Sequence, residues 1–256
     1  MIEHQITGHV AVLTLNNPSA NTFTAAGLQQ LHDVIAELNR NMDVYAVVVT
    51  GAGEKFFSAG ADLKTFADGD KAQARLMAQR FGAAFEALQE ARPVTIAAVN
   101  GYAMGGGLEF ALACDLRIAE AHAQMALPET SVGLLPCGCG TQTLPWLVGE
   151  GWAKRMILTN ERVDAETALR IGLVEQVVDR GRGRDAAIEL AQRVAGLSPR
   201  AVSSSKGLIH QARKGTPRAA ALALERERFV DLFDGADQRE GVNAFLEKRK
   251  PAWKNA

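Results

Sequence analysis

The chain has 256 residues, of which 47% are hydrophobic and 22% charged, and its formal net charge is -1. That is enough chain for a sizeable buried core, and the charge balance lacks the basic excess of a nucleic-acid binder. Three cysteines do not make a disulfide framework. No basic leader precedes an apolar stretch, and the apolar runs are short and glycine-broken, so a cytoplasmic protein is expected.

The first half alternates strands and helices. Ile2 to Thr7 and Val10 to Leu15 read as strands joined through Gly8-His9, a hairpin. Thr24 suits the N-cap of an amphipathic helix reaching Arg40, with Leu28, Leu31, Val34, Ile35 and Leu38 at helical spacing. Ala46 to Thr50 reads as a buried strand, ended by Gly51 and Gly53. A helix follows from about Ala72 to Glu90, and Pro93 precedes the strand Val94 to Val99. A glycine-rich turn then leads into an apolar helix near Gly106. Strands interleaved with helices predict an α/β fold with parallel pairings.

The second half is mostly helical after a short strand at Val174 to Val178. Helices are expected over Arg184 to Leu197, Pro199 to Arg213, Pro217 to Phe233 and Gln238 to Lys250, with Pro199 and Pro217 in first-turn positions. The basic clusters Arg180, Arg182, Arg184 and Lys248, Arg249, Lys250 read as solvated faces. Two regions are expected: a core over 1–195 and a helical region over 196–256.

Two segments can carry chemistry. In Phe57-Ser58-Ala59-Gly60-Ala61-Asp62-Leu63, small residues let a ligand approach the backbone, and a helix start offers unpaired N–H groups. By itself this is also an ordinary tight turn. In Asn100-Gly101-Tyr102-Ala103-Met104-Gly105-Gly106-Gly107-Leu108-Glu109, three glycines stand at a helix start, where they cost stability and so serve geometry. The dinucleotide pattern G-x-G-x-x-G fails, because counting from Gly105 its last position is Phe110. Neither a P-loop, an H-E-x-x-H nor a G-x-S-x-G occurs. Glu109, one turn into the helix, reads either as a first-turn glutamate favoured by the helix dipole or as a buried acid among Leu108, Phe110 and Leu112. Glu129, beside Pro128, has the same two readings. Two such carboxylates can hold one water and divide acid and base roles. Cys137 and Cys139 form C-x-C with no second pair, so free thiols are expected and no metal.

These segments, in this order, resemble the crotonase superfamily and within it the enoyl-CoA hydratases. The landmarks are the segment Ser58 to Leu63, Asn100 to Glu109, Leu127-Pro128-Glu129, the glycine-rich stretch Gly138 to Gln142, and the ending Phe245 to Pro251. The resemblance implies a fold of stacked β-β-α turns with a C-terminal helical trimerisation region, and trimers or hexamers. It implies an oxyanion hole made by the amides of Ala61 and Gly106, where one such donor is worth ~3 kcal/mol of barrier. Coenzyme A is expected along Ala59 to Leu63, Asp62 included, with Lys55 and Lys64 near its nucleotide. Phe229 and Lys248 match positions that reach a ligand in a neighbouring subunit.

Glutamate at both 109 and 129 favours hydration, since the isomerases that resemble this chain keep only the one matching Glu129. The expected activity is addition of water to a trans-2-enoyl-CoA, with no cofactor beyond the coenzyme A of the substrate. Isomerisation, or another crotonase-type acyl-CoA reaction, is the alternative, and a non-catalytic RNA-binding member a more distant one. The chain departs from the resemblance at Cys137 and Cys139, where small residues are commoner, at Thr143, where arginine is frequent, and in the loop Asn17 to Phe23.

Overall fold

The computed structural model describes residues 2–255. Strands β1 (Ile2–Thr7) and β2 (Val10–Leu15) form the expected antiparallel hairpin, with Thr7 opposite Val10. Helix α1 (Ala25–Arg40) follows. Thr24 caps it, its side chain accepting a hydrogen bond from the Gly27 amide.

The chain then repeats a long strand, a short strand and a helix. The first turn is β3 (Ala46–Gly51), β4 (Phe56–Ser58) and α2 (Lys71–Gln89). The second is β5 (Val94–Val99), β6 (Tyr102–Met104) and α3 (Gly106–Leu112). The third is β7 (Leu116–Glu120), β8 (Gln124–Ala126) and α4 (Gly140–Leu158). Then come β9 (Val163–Asp164), α5 (Ala165–Arg170), β10 (Gln176–Val178) and α6 (Gly183–Ala195). The last helices are α7 (Pro199–Arg213), α8 (Arg218–Asp231) and α9 (Ala236–Leu246).

Long strands make one sheet, ordered β1-β2-β3-β5-β7-β10, and short strands make a second, ordered β4-β6-β8-β9. All pairings after the hairpin are parallel except β8 with β9. This is the predicted α/β fold of stacked β-β-α turns.

Strand β3 is buried along its whole length because both faces are covered. Val47 and Val49 join the core that includes α1 and α2, while Ala46 and Val48 pack with Ala187 and Ala191 of α6. A continuous apolar strand is the pattern such two-sided burial demands.

Some expectations are corrected. Ser58 to Leu63 does not open an α-helix; it leads into a single 3-10 turn, Leu63–Phe66, capped by Asp62. Pro217 is the N-cap of α8 and not its first residue, and α8 ends at Asp231, a 3-10 turn over Leu232–Asp234 taking the chain on. Helix α4 was not foreseen, because Pro145 and Gly149 interrupt its pattern; it bends at Gly149, where φ is +76°.

Candidate active site

The triple glycine joins β6 of the short-strand sheet to α3. Gly105 follows β6 with φ +54°, a conformation that costs glycine little. Gly107, the second residue of α3, lies so close to β4 that a Cβ on it would stand 2.2 Å from the Ser58 carbonyl oxygen. Glycines here let α3 start hard against the Ser58 to Ala61 backbone.

That contact forms the floor of a cleft of about 510 Å³, whose lining includes Ala59, Ala61, Leu63, Gly106, Glu109 and Glu129. Phe23 orients Ala61. The Phe23 amide donates to the Gly60 carbonyl at 2.8 Å, and the Phe23 carbonyl accepts from the Asp62 amide at 3.4 Å. In a planar trans peptide, C=O and N–H point opposite ways, so the Ala61 N–H is turned away from Phe23. Neither the Ala61 nor the Gly106 amide donates a hydrogen bond among the described residues.

The two glutamates are held in opposite ways. Glu109, on α3 and 2% exposed, is anchored through Oε1. That oxygen accepts from the amides of Gly138 at 2.8 Å, Cys139 at 2.9 Å and Gly140 at 2.8 Å. These amides belong to the start of α4, so a carboxylate from one helix satisfies the unpaired N–H groups of another and meets the positive end of its dipole. No protein donor reaches Oε2 among the described residues.

Glu129 opens a 3-10 turn, Glu129–Val132, after Pro128. Its Oε2 is buried without a hydrogen-bond partner. Burial, with a further contribution from the charge of Glu109, pushes its carboxyl up to about 7. The cleft therefore pairs a tightly held carboxyl with a loosely held one poised to carry a proton near neutral pH.

The model of the enoyl-CoA hydratase/isomerase family matches residues 5–256. The chain belongs to this family. It is 40% identical over 244 residues to the short-chain-enoyl-CoA hydratase of Clostridium acetobutylicum, covering 95% of this chain and 93% of that one. Among solved structures it is similar to Pseudomonas aeruginosa DspI, at 66% identity and a TM-score of 0.97, covering 99% of this chain and 96% of that one. It is also similar to an enoyl-CoA hydratase from Bacillus anthracis, at 37% identity and a TM-score of 0.96, over 100% of this chain and 99% of the other.

The remaining expected positions of this family member lie outside the cleft lining. Asp62 caps the 3-10 turn, accepting from the Lys64 amide at 3.1 Å. Lys55 is exposed, its Nζ 5.4 Å from the Phe56 ring, and Lys64 is exposed one residue beyond Leu63. Phe229 is 64% exposed on α8 and stacks edgewise on Phe233. Lys248, with φ +54°, follows α9. Neither Phe229 nor Lys248 lines this chain's own cleft.

Sequence reasoning missed the cradle that holds Glu109. Gly138 to Gly140 stood out only as a glycine-rich stretch; the available signal was a helix start with no side-chain cap of its own. Thr143 is buried and accepts from Gln89 Nε2 at 3.3 Å. Burial pushes Cys139 up to about 12, and the Glu109 charge adds to this, so that thiol stays protonated, while Cys137 is an exposed free thiol. A larger groove of about 820 Å³ runs along α7, where Lys206 Nζ pairs with Asp115 at 2.7 Å. It contains no pair of unengaged acids. Among the described residues no helix is long and apolar enough to cross a membrane.

Proposed function

We propose that this chain is an enoyl-CoA hydratase that uses Glu109 and Glu129 on one water and a backbone oxyanion hole at Ala61 and Gly106. The observation that carries the reading is the asymmetry of two carboxyls in one cleft. The substrate's thioester oxygen accepts from the two amides, and charge drawn onto that oxygen makes C3 electrophilic. Glu109, fixed through Oε1, presents Oε2 to the water and takes its proton as the oxygen bonds to C3. Glu129 gives its proton to C2. The pair ends with the proton on Glu109, and exchange with solvent resets it. Each role is general acid–base catalysis by a group close to its proton. The scheme needs no metal or redox cofactor, and coenzyme A belongs to the substrate. Hydration of trans-2-enoyl-CoA to 3-hydroxyacyl-CoA tests it directly. Double-bond migration without hydration would favour an isomerase.

The exposed apolar residues of the C-terminal helices support self-association into trimers or hexamers. Phe229, Val230, Phe233, Phe245 and Leu246 are 57% to 83% exposed in the single chain. Apolar groups at this density on one region mark an interaction surface. Phe229 and Lys248 are then available to a neighbour's coenzyme A, with Lys55 and Lys64 serving the nucleotide of the chain's own ligand.

A further inference from the structure

Beyond the glutamates the cleft continues along α2. Phe81 marks its reactive end, since a Cβ on Gly106 would meet Phe81 Cε1 at 2.9 Å. Ala78 and then Ala74 line the cleft, one and two turns closer to the N-terminus of α2, and both are exposed in the chain. The seven helical steps from Phe81 to Ala74 span ~10 Å. The cleft lining also includes Val132 and Leu135, which are 53% and 66% exposed. The polar side chains of the cleft are the two glutamates, Cys137 and Ser131, whose hydroxyl is engaged with the Pro128 carbonyl at 2.6 Å.

A strip without free polar partners disfavours the pantetheine arm, whose amides would lose their hydrogen bonds to water there. An alkyl tail loses none. Resting on the hydratase reading, we infer that this strip is the channel for the acyl tail. Ala74 and Ala78 are its specificity-determining residues, setting it for unbranched enoyl groups longer than four carbons. A four-carbon group has one carbon beyond C3 and leaves the strip wet. With C–C bonds of ~1.5 Å in a zigzag, about eight carbons beyond the reacting centre reach Ala74. Each methylene that leaves water raises affinity by up to about fourfold.

The test uses the intact protein and saturated straight-chain thioesters, which read the channel without catalysis. Calorimetric titration with butanoyl-, octanoyl- and dodecanoyl-CoA is expected to give at least about tenfold tighter binding of octanoyl- than butanoyl-CoA. In Ala78→Phe that ratio is expected to fall at least about fivefold, and in Ala74→Leu the dodecanoyl-to-butanoyl ratio is expected to fall likewise, with circular dichroism confirming the fold. Equal or weaker binding of octanoyl-CoA by the wild type, or an unchanged ratio in both folded variants, overturns the channel. Hydration of the matching trans-2-enoyl-CoAs is measured in parallel. Its absence at every length removes the hydratase reading, while the affinity series still decides the channel.

Discussion

Glu129 Oε1 lies 2.8 Å from where a Cβ on Gly105 would stand. The residue that turns the chain from β6 into α3 thus also leaves space for one of the two acids. Gly105→Ala adds a methyl group against that carboxyl and places alanine at φ +54°. A displaced acid loses its alignment, and small misplacements at a reacting centre cost about 100-fold. Hydration kinetics should show kcat falling by roughly 10- to 100-fold with a smaller change in KM. An unchanged kcat in a folded variant would mean that Glu129 needs no fixed position.

The two glutamates should fail differently. Glu129→Gln should lose hydration and exchange of the C2 proton with solvent, each by ~100- to 10,000-fold. Glu109→Gln should lose hydration to a similar degree, yet keep measurable deuterium exchange at C2 of a saturated acyl-CoA through Glu129. The double variant should be little worse than either single one, because the pair acts on one water. Near-full hydration in Glu109→Gln would remove the hydratase assignment.

Activity should fall as pH rises through about 7. The carboxyl of Glu129 is raised from 4.5 to about 7, so its proton is held at pH 6 and lost above pH 8. The proposed mechanism needs one proton between Glu109 and Glu129. On the alkaline limb kcat/KM for hydration should approach a tenfold loss per pH unit. Dehydration of 3-hydroxyacyl-CoA should show the same limb, because the overall reaction takes up no net proton. The same shift acts on stability. A carboxyl raised on folding binds its proton more tightly in the native state, so its contribution declines as pH climbs from 4.5 to about 7. A kcat/KM profile flat from pH 6 to 9 would exclude Glu129 as the proton donor.

In the proposed mechanism the oxyanion hole is a backbone device, which gives position 61 an unusual tolerance. Ala61→Ser keeps the amide and should retain turnover within about an order of magnitude, whereas Ala61→Pro has no N–H and should abolish it. Steady-state kinetics on both folded variants separates the amide from the side chain. Near-normal turnover in Ala61→Pro would rule out that donor.

Assembly should depend on the last helices. Light scattering at micromolar concentration should report a trimer or hexamer. Truncation after Pro217 should lower both assembly and affinity for acyl-CoA. A monomer with full affinity would count against a shared site.

By itself, the sequence determined the elements whose signals are local. Thr24 before a helical apolar stripe, the two-sided apolar strands Ala46 to Thr50 and Val94 to Val99, and Pro199 at a helix start all lie where periodicity and capping place them. It also singled out Glu109, Glu129 and the triple glycine, through residue types that are costly unless geometry needs them. Only the tertiary structure decided what distinguishes the two acids. Glu109 is anchored by amides 29 to 31 residues away, and Glu129 is left with a buried, unpartnered oxygen. Desolvation and long-range hydrogen bonds arise when separate turns of the fold close on one another, and no window of sequence contains both partners. The small faces of Ala74 and Ala78 are of the same kind: on α2 they are ordinary helix formers, and they become part of a cleft lining because Val132 and Leu135 fold against the same space.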